Sequence, residues 1–232
     1  MVNIGLILGG ALLFGALVVQ WAEWRRDFVL ALGVPVLTLI LALDGTVSRA
    51  EGALLLTLFT VWMALVTRQA IAHRRAVTTE DSAPGRPGRA WLLLLVGLAS
   101  LVLAGRLFVT GASGLAMALE VHPYLIGVTV VAVGTSLPEL VTVLLSRLRG
   151  HDDVGLGTLL GSNLFNGLAI VGITATLHPI QTTPGEVAVA LGFGVLTVLM
   201  LLPRAGALSR RRGVALLTAY AVFIVVTVSL SR

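Results

Sequence analysis

Largely apolar runs at about 3–20, 28–43, 50–67, 91–110, 123–146, 154–177, 184–203 and 214–230 limit what this chain can become. Stretches of about 18 residues or more reach across the hydrocarbon of a bilayer as a helix. Inside hydrocarbon, each backbone N–H and C=O has to be satisfied within the segment, which leaves helices as the solution for runs of this length. The pattern predicts an all-α integral membrane protein with eight transmembrane helices. Composition agrees, with 57% hydrophobic against 12% charged residues.

The net charge of +5 comes from 16 arginines against 11 acids, and its placement matters more than its size. Residues 68–90, "RQAIAHRRAVTTEDSAPGRPGRA", are rich in Pro, Gly, Ser and charge and read as a solvated linker. With that linker cytoplasmic, strict alternation leaves only Arg49, Arg106 and Arg232 outside and puts the other thirteen arginines inside. This is the positive-inside pattern, with both termini outside. No basic face carries interleaved aromatics, so nucleic acid is not a predicted partner. The chain has no cysteine, hence no disulfide framework or thiolate metal site. Arg25 and Arg26 follow the first apolar run, the reverse of a signal peptide. Trp21, Trp24 and Trp91 sit at span ends as an interfacial belt, and His73, His151 and His178 read as solvated loop residues.

The two sides of the linker resemble each other. "NIGLILGG" at 3–10 aligns with "NGLAIVGI" at 166–173, and "GTVSRAEGALLL" at 45–56 aligns with "GALSRRRGVALL" at 206–217. The alternation puts the members of the second pair on opposite sides of the membrane, so the halves are predicted to be inverted repeats. Secondary transporters are often built this way, with substrate held near mid-bilayer where the repeats meet.

One stretch, "VAVGTSLPELVTVLL" at 131–145, places glycine, hydroxyls, proline and a carboxylate in the middle of a span. Pro138 has no amide hydrogen and predicts a break that frees backbone carbonyls. The next span carries "GTLLGSNLFNG", with Ser162, Asn163 and Asn166 at similar depth. Thr135 and Glu139 are four apart, Ser136 and Glu139 three, and Ser162 and Asn166 four, spacings that share a helix face. A lone serine or a protonated glutamate there would read as interhelical glue. A band of six polar or helix-breaking positions at one depth points to an ion site, because a mid-bilayer carboxylate costs roughly 2.5–3.5 kcal/mol that a cation offsets. Hydroxyl, amide, carbonyl and carboxylate oxygens are hard ligands, suited to calcium or sodium. No histidine or lysine lies at that depth to activate a serine, so the chain is not predicted to be an enzyme.

"GTSLPEL" followed by "RLRGHDDVGLGTLLGSNLFN" resembles the second signature repeat of the cation/calcium exchanger superfamily, the sodium/calcium exchangers and their prokaryotic relatives. The resemblance implies an inverted-repeat exchanger fold and antiport of calcium against sodium or protons by alternating access. These ions are then transported substrates rather than cofactors. It further implies that Glu139 is the central carboxylate ligand, that Thr135 and Ser136 give hydroxyl or carbonyl oxygens, and that Ser162 and Asn166 complete this repeat's share. Asn3, which the repeat overlay puts opposite Asn166, joins the ligand set. Thr158 departs from the family, which commonly has asparagine there, and this touches the support behind Ser162.

The overlay starts this chain inside the second motif of its first repeat, so the first two helices of repeat one and a second carboxylate are predicted to be missing, roughly 73 residues if the repeats are equal. The expected division is 1–67 as a partial first repeat of three helices, 68–90 as cytoplasmic linker and 91–232 as a complete second repeat of five. Three origins are weighed: a start upstream of Met1, a truncated product, or a separate polypeptide supplying the rest. A non-transporting remnant or assembly subunit is the alternative function. The short linker leaves no room for a regulatory domain and fits a bacterial-type inner membrane.

Overall fold

The computed structural model describes residues 1–18, 21–76, 87–202 and 207–230, and its architecture is helical. Helix α1 (Val2–Leu13) is followed by the two-residue strand β1 (Leu17–Val18), α2 (Trp21–Leu41), β2 (Thr46–Val47), α3 (Arg49–Ala76) and α4 (Pro87–Ala118). Next come α5 (Pro123–Thr135) and α6 (Leu137–Leu148), one span bent by 43° at Ser136. Helix α7 then runs through Asp152–Leu164, a π-wound stretch Phe165–Ile170 and Val171–Leu177. The chain closes with β3 (Ile180–Gln181), α8 (Pro184–Leu199), β4 (Ala207–Leu208) and α9 (Arg210–Leu230).

Among the described residues four helices, α3, α4, α7 and α9, are long and apolar enough to cross a bilayer, and the bent α5–α6 pair makes a fifth when counted as one span. The sequence reading expects eight spans; α1 and α8 are apolar but shorter, and α2 carries the charged stretch "EWRRD" in its first two turns. There Arg26 lies 2.9 Å from Asp27 and also donates to Gln69, tying the start of α2 to α3. The 68–90 linker is shorter than composition predicts. Helix α3 continues to Ala76 and α4 begins at Pro87, because Gln, Ala and Arg are good helix formers and proline is tolerated at a first turn. Residues 77–86, with Arg86, lie outside the described residues, as do Arg204 and Arg232.

Helix α4 also outruns its predicted end at 110, since Gly111 and Gly114 do not break it and it continues to Ala118. Arg106, near the outer end of the predicted span, is therefore well inside the helix. It lines a cavity of about 340 Å³ together with Gly134, Thr135 and Pro138, level with the bend between α5 and α6.

Local signals explain several helix starts. Ser48 and Glu51 form a capping box at α3: the Ser48 N–H and O–H donate to Glu51 Oε2 at 2.7 and 2.8 Å. Pro123 and Pro184 open α5 and α8 in the first turn. At the bend, Pro138 has no N–H for the Gly134 carbonyl, and Ser136 leaves the helical region with φ −94° and ψ 5°.

Two strand pairs and two helix crossings relate the halves by exchange. Strand β1 pairs antiparallel with β4 (Leu17 opposite Leu208), and β2 pairs with β3 (Val47 opposite Ile180). In the repeat overlay β1 corresponds to β3 and β2 to β4, so swapping the repeats turns one pair into the other. The helix crossings behave alike. A Cβ on Gly213 would lie 2.8 Å from the Gly9 carbonyl, and a Cβ on Gly172 would lie 3.1 Å from the Gly52 carbonyl. Both crossings are backbone-on-backbone contacts that only glycine permits without displacement. The π-wound stretches Val2–Leu8 and Phe165–Ile170 also fall at overlaid positions. The buried core, including Ile4, Leu8, Leu12, Leu159, Leu164 and Leu216, lies where α1, α7 and α9 meet.

Candidate functional site

The bend puts Glu139 in the first turn of α6, facing α7. Its Oε1 accepts a hydrogen bond from the Ser162 hydroxyl at 2.7 Å, and its Oε2 is buried with no hydrogen-bond partner. Asn3, 4% exposed on α1, donates from Nδ2 to Ser162 Oγ at 3.2 Å and to Asn163 Oδ1 at 3.1 Å. Its Oδ1 is likewise buried without a partner. The cluster therefore holds two shielded oxygens with unused lone pairs, one from each half of the chain. Buried acceptors without a partner are uncommon and costly, and they are what a hard cation takes up.

Beside this cluster lies a cavity of about 330 Å³ whose polar lining includes Asn3, Thr135, Ser136, Asn163 and Asn166. Glu139 and Ser162 are not among its lining residues, and Ser162 joins Glu139 to the cavity-lining Asn3 by hydrogen bonds. Ser136 is buried, whereas Thr135 and Asn166 are exposed. The Thr135 hydroxyl donates to the Val131 carbonyl at 2.9 Å, leaving its oxygen lone pairs available. Of the residues picked from sequence, Glu139, Ser162 and Asn3 are thus directly hydrogen-bonded to one another in series, and Thr135, Ser136 and Asn166 share the adjoining cavity. Thr158 is half-buried and bonds the Val154 carbonyl of its own helix at 2.8 Å.

Asn163 lies outside the ligand set that helical spacing selects. Spacings of three and four join Ser162 to Asn166 and skip the residue between. The π-wound turn beginning at Phe165 changes the register, and Asn163 and Asn166 line the same cavity. Thr38 on α2 and Thr197 on α8 also reach this cavity, and nothing in their local sequence marks them.

The bend thus carries a carboxylate with a buried oxygen, and amide and hydroxyl oxygens from both halves of the chain gather beside it. The chain belongs to the sodium/calcium exchanger protein family, whose model matches residues 89–229, more than half of its length. Among its relatives, CaxA of Alkalimonas amylolytica is 36% identical over 183 residues, covering 76% of this chain and 57% of that protein. The inner membrane protein YrbG of Escherichia coli (strain K12) is 33% identical over 194 residues, covering 80% of this chain and 58% of that protein. The chain thus spans less than two thirds of the length of these two relatives. The fold resembles the sodium-calcium exchanger NCX_Mj, as soaked with 2.5 mM Na+ and 10 mM Sr2+, at TM-score 0.76 and 25% identity over 97% of this chain and 72% of that one.

Proposed function

We propose that this chain forms the cation-binding part of a membrane antiporter that exchanges calcium for sodium or protons by alternating access. The observation that carries the reading is the Glu139 carboxylate, held by Ser162 and buried beside the unpartnered amide oxygen of Asn3. Glu139, Asn3, Ser162, Thr135, Ser136 and Asn166 are the proposed ligands. Calcium takes 6–8 oxygens, so carbonyls freed at the bend belong to the set as well. Competition follows, since calcium and the counter-ion use overlapping oxygens and occupancy by one favours release of the other.

In this reading all eight helical segments traverse an inner membrane, with α5 and α6 counted as one, both termini outside and the 68–90 segment cytoplasmic. Residues 1–67 and 91–232 act as inverted repeats. The exchange-related strand pairs and glycine crossings support this arrangement, and so does the pairing of segments that alternation assigns to one side of the membrane. The test is calcium uptake into vesicles containing the full chain, driven by an outward sodium or proton gradient, with calcium-dependent thermal stabilisation measured in parallel. Glu139→Gln is expected to lose both signals. Retention of both by that variant would overturn the ligand assignment.

A further inference from the structure

The four polar side chains at the break form a chain of hydrogen bonds with one permitted direction, and this direction assigns a role to Asn163. The inference rests on the cation-site reading above. With Glu139 ionised, as a cation ligand has to be, its carboxylate has no hydrogen to give, so the 2.7 Å contact with Ser162 is donated by the serine hydroxyl. That commits the one hydrogen Ser162 has. Its oxygen then only accepts, and Asn3 has to present its NH2 edge across the 3.2 Å contact. The second amide hydrogen of Asn3 goes to Asn163 Oδ1 at 3.1 Å, which in turn fixes Asn163 with its oxygen facing Asn3.

The reverse orientation of Asn3 would set its carbonyl against a hydroxyl oxygen with no hydrogen left to offer, pairing acceptor with acceptor, and would break the contact to Asn163 Oδ1 as it stands. The two anchors also differ in position, because Asn163 lines the cavity and Ser162 does not. The carboxamide is therefore held from two sides, and its Oδ1 is left buried and without a partner. With Ser162 as the only anchor, the amide plane would be able to turn about its last side-chain bond and withdraw that oxygen.

We propose that Asn163 is a positioning residue that keeps the amide oxygen of Asn3 turned toward a bound cation, so that the ligand from one half of the chain is oriented by the other half. Asn163 acts through Asn3 and does not itself need to touch the ion. Removing its acceptor is expected to weaken cation binding without emptying the site. Removing it when Asn3 is already absent is expected to change nothing further.

The experiment is a calcium titration of thermal stability on the purified full chain in detergent, comparing wild type, Asn3→Ala, Asn163→Leu, the double variant, Asn163→Asp and Glu139→Gln. Asn163→Leu is expected to weaken apparent calcium affinity about tenfold, the equivalent of one hydrogen bond. The double variant is expected to match Asn3→Ala, the non-additivity of two residues acting in series. Asn163→Asp retains an acceptor oxygen and is expected to stay within about threefold of wild type. Unchanged affinity in Asn163→Leu, or effects that add independently of Asn3, would overturn the proposal while the site reading stands. Should Asn163→Leu not fold, Asn163→Asp decides: a loss as large as that of Asn3→Ala overturns the role. Calcium stabilisation that survives Glu139→Gln removes the site reading, and this role goes with it.

Discussion

Ser162 has a position few serines hold, since its oxygen accepts from Asn3 while its hydrogen goes to Glu139. Ser162→Ala strips a donor from a buried carboxylate and an acceptor from a buried amide in one step. Hydrogen bonds to charged groups contribute roughly 1.5–3 kcal/mol, and a group left unsatisfied adds its desolvation cost. The variant is expected to lower stability by about that amount in a detergent melt without calcium, and to show a further deficit when calcium is added. A melt superimposable on wild type under both conditions would mean the serine is incidental. The Glu139–Ser162 pair was legible in the sequence, because a carboxylate beside a proline break and a serine in the following span stand out against apolar neighbours. Asn163 was not, because its use depends on a π-wound turn that no residue pattern announces.

At the scale of elements, helix breaks and starts were readable from Pro138, Pro123 and Pro184, whose missing amide hydrogens act locally. Helix ends were less readable. The extension of α4 to Ala118 depends on small residues that permit either a turn or a continued helix, and tertiary packing decides between them. The glycine crossings are a further element-scale property. A Cβ on Gly172 would come within 2.9 Å of Leu56 Cγ and 3.1 Å of the Gly52 carbonyl, and a Cβ on Gly213 within 2.7 Å of Leu12 Cβ. Gly172→Leu and Gly213→Leu are each expected to destabilise by about 1–3 kcal/mol through overpacking. Thermal midpoints of the two variants check this, and an unchanged midpoint in either would contradict the close approach at that crossing.

For the molecule as a whole, the likeness between the halves was visible in two aligned motifs, but the strand pairs were not, because two-residue strands carry no periodicity. Their register is open to test in a chain without native cysteine. Residues directly opposite in an antiparallel pair lie about 4.5–5.5 Å apart at Cα, within the range a disulfide bridges. Thr46→Cys with Gln181→Cys is expected to cross-link under mild oxidation, and a protease site introduced between 77 and 86 should then yield two fragments that separate only after reduction. Thr46→Cys with Thr183→Cys, displaced from the register, is the control expected to link poorly. Equal yields from both would refute the pairing.

Each of those ribbons takes one strand from before the 77–86 segment and one from after it, and so do the two glycine crossings. Among the described residues the halves are thus clasped at four places. A gene split between 77 and 86 should therefore give two polypeptides that find each other when made in the same cell and co-purify through a tag on either one.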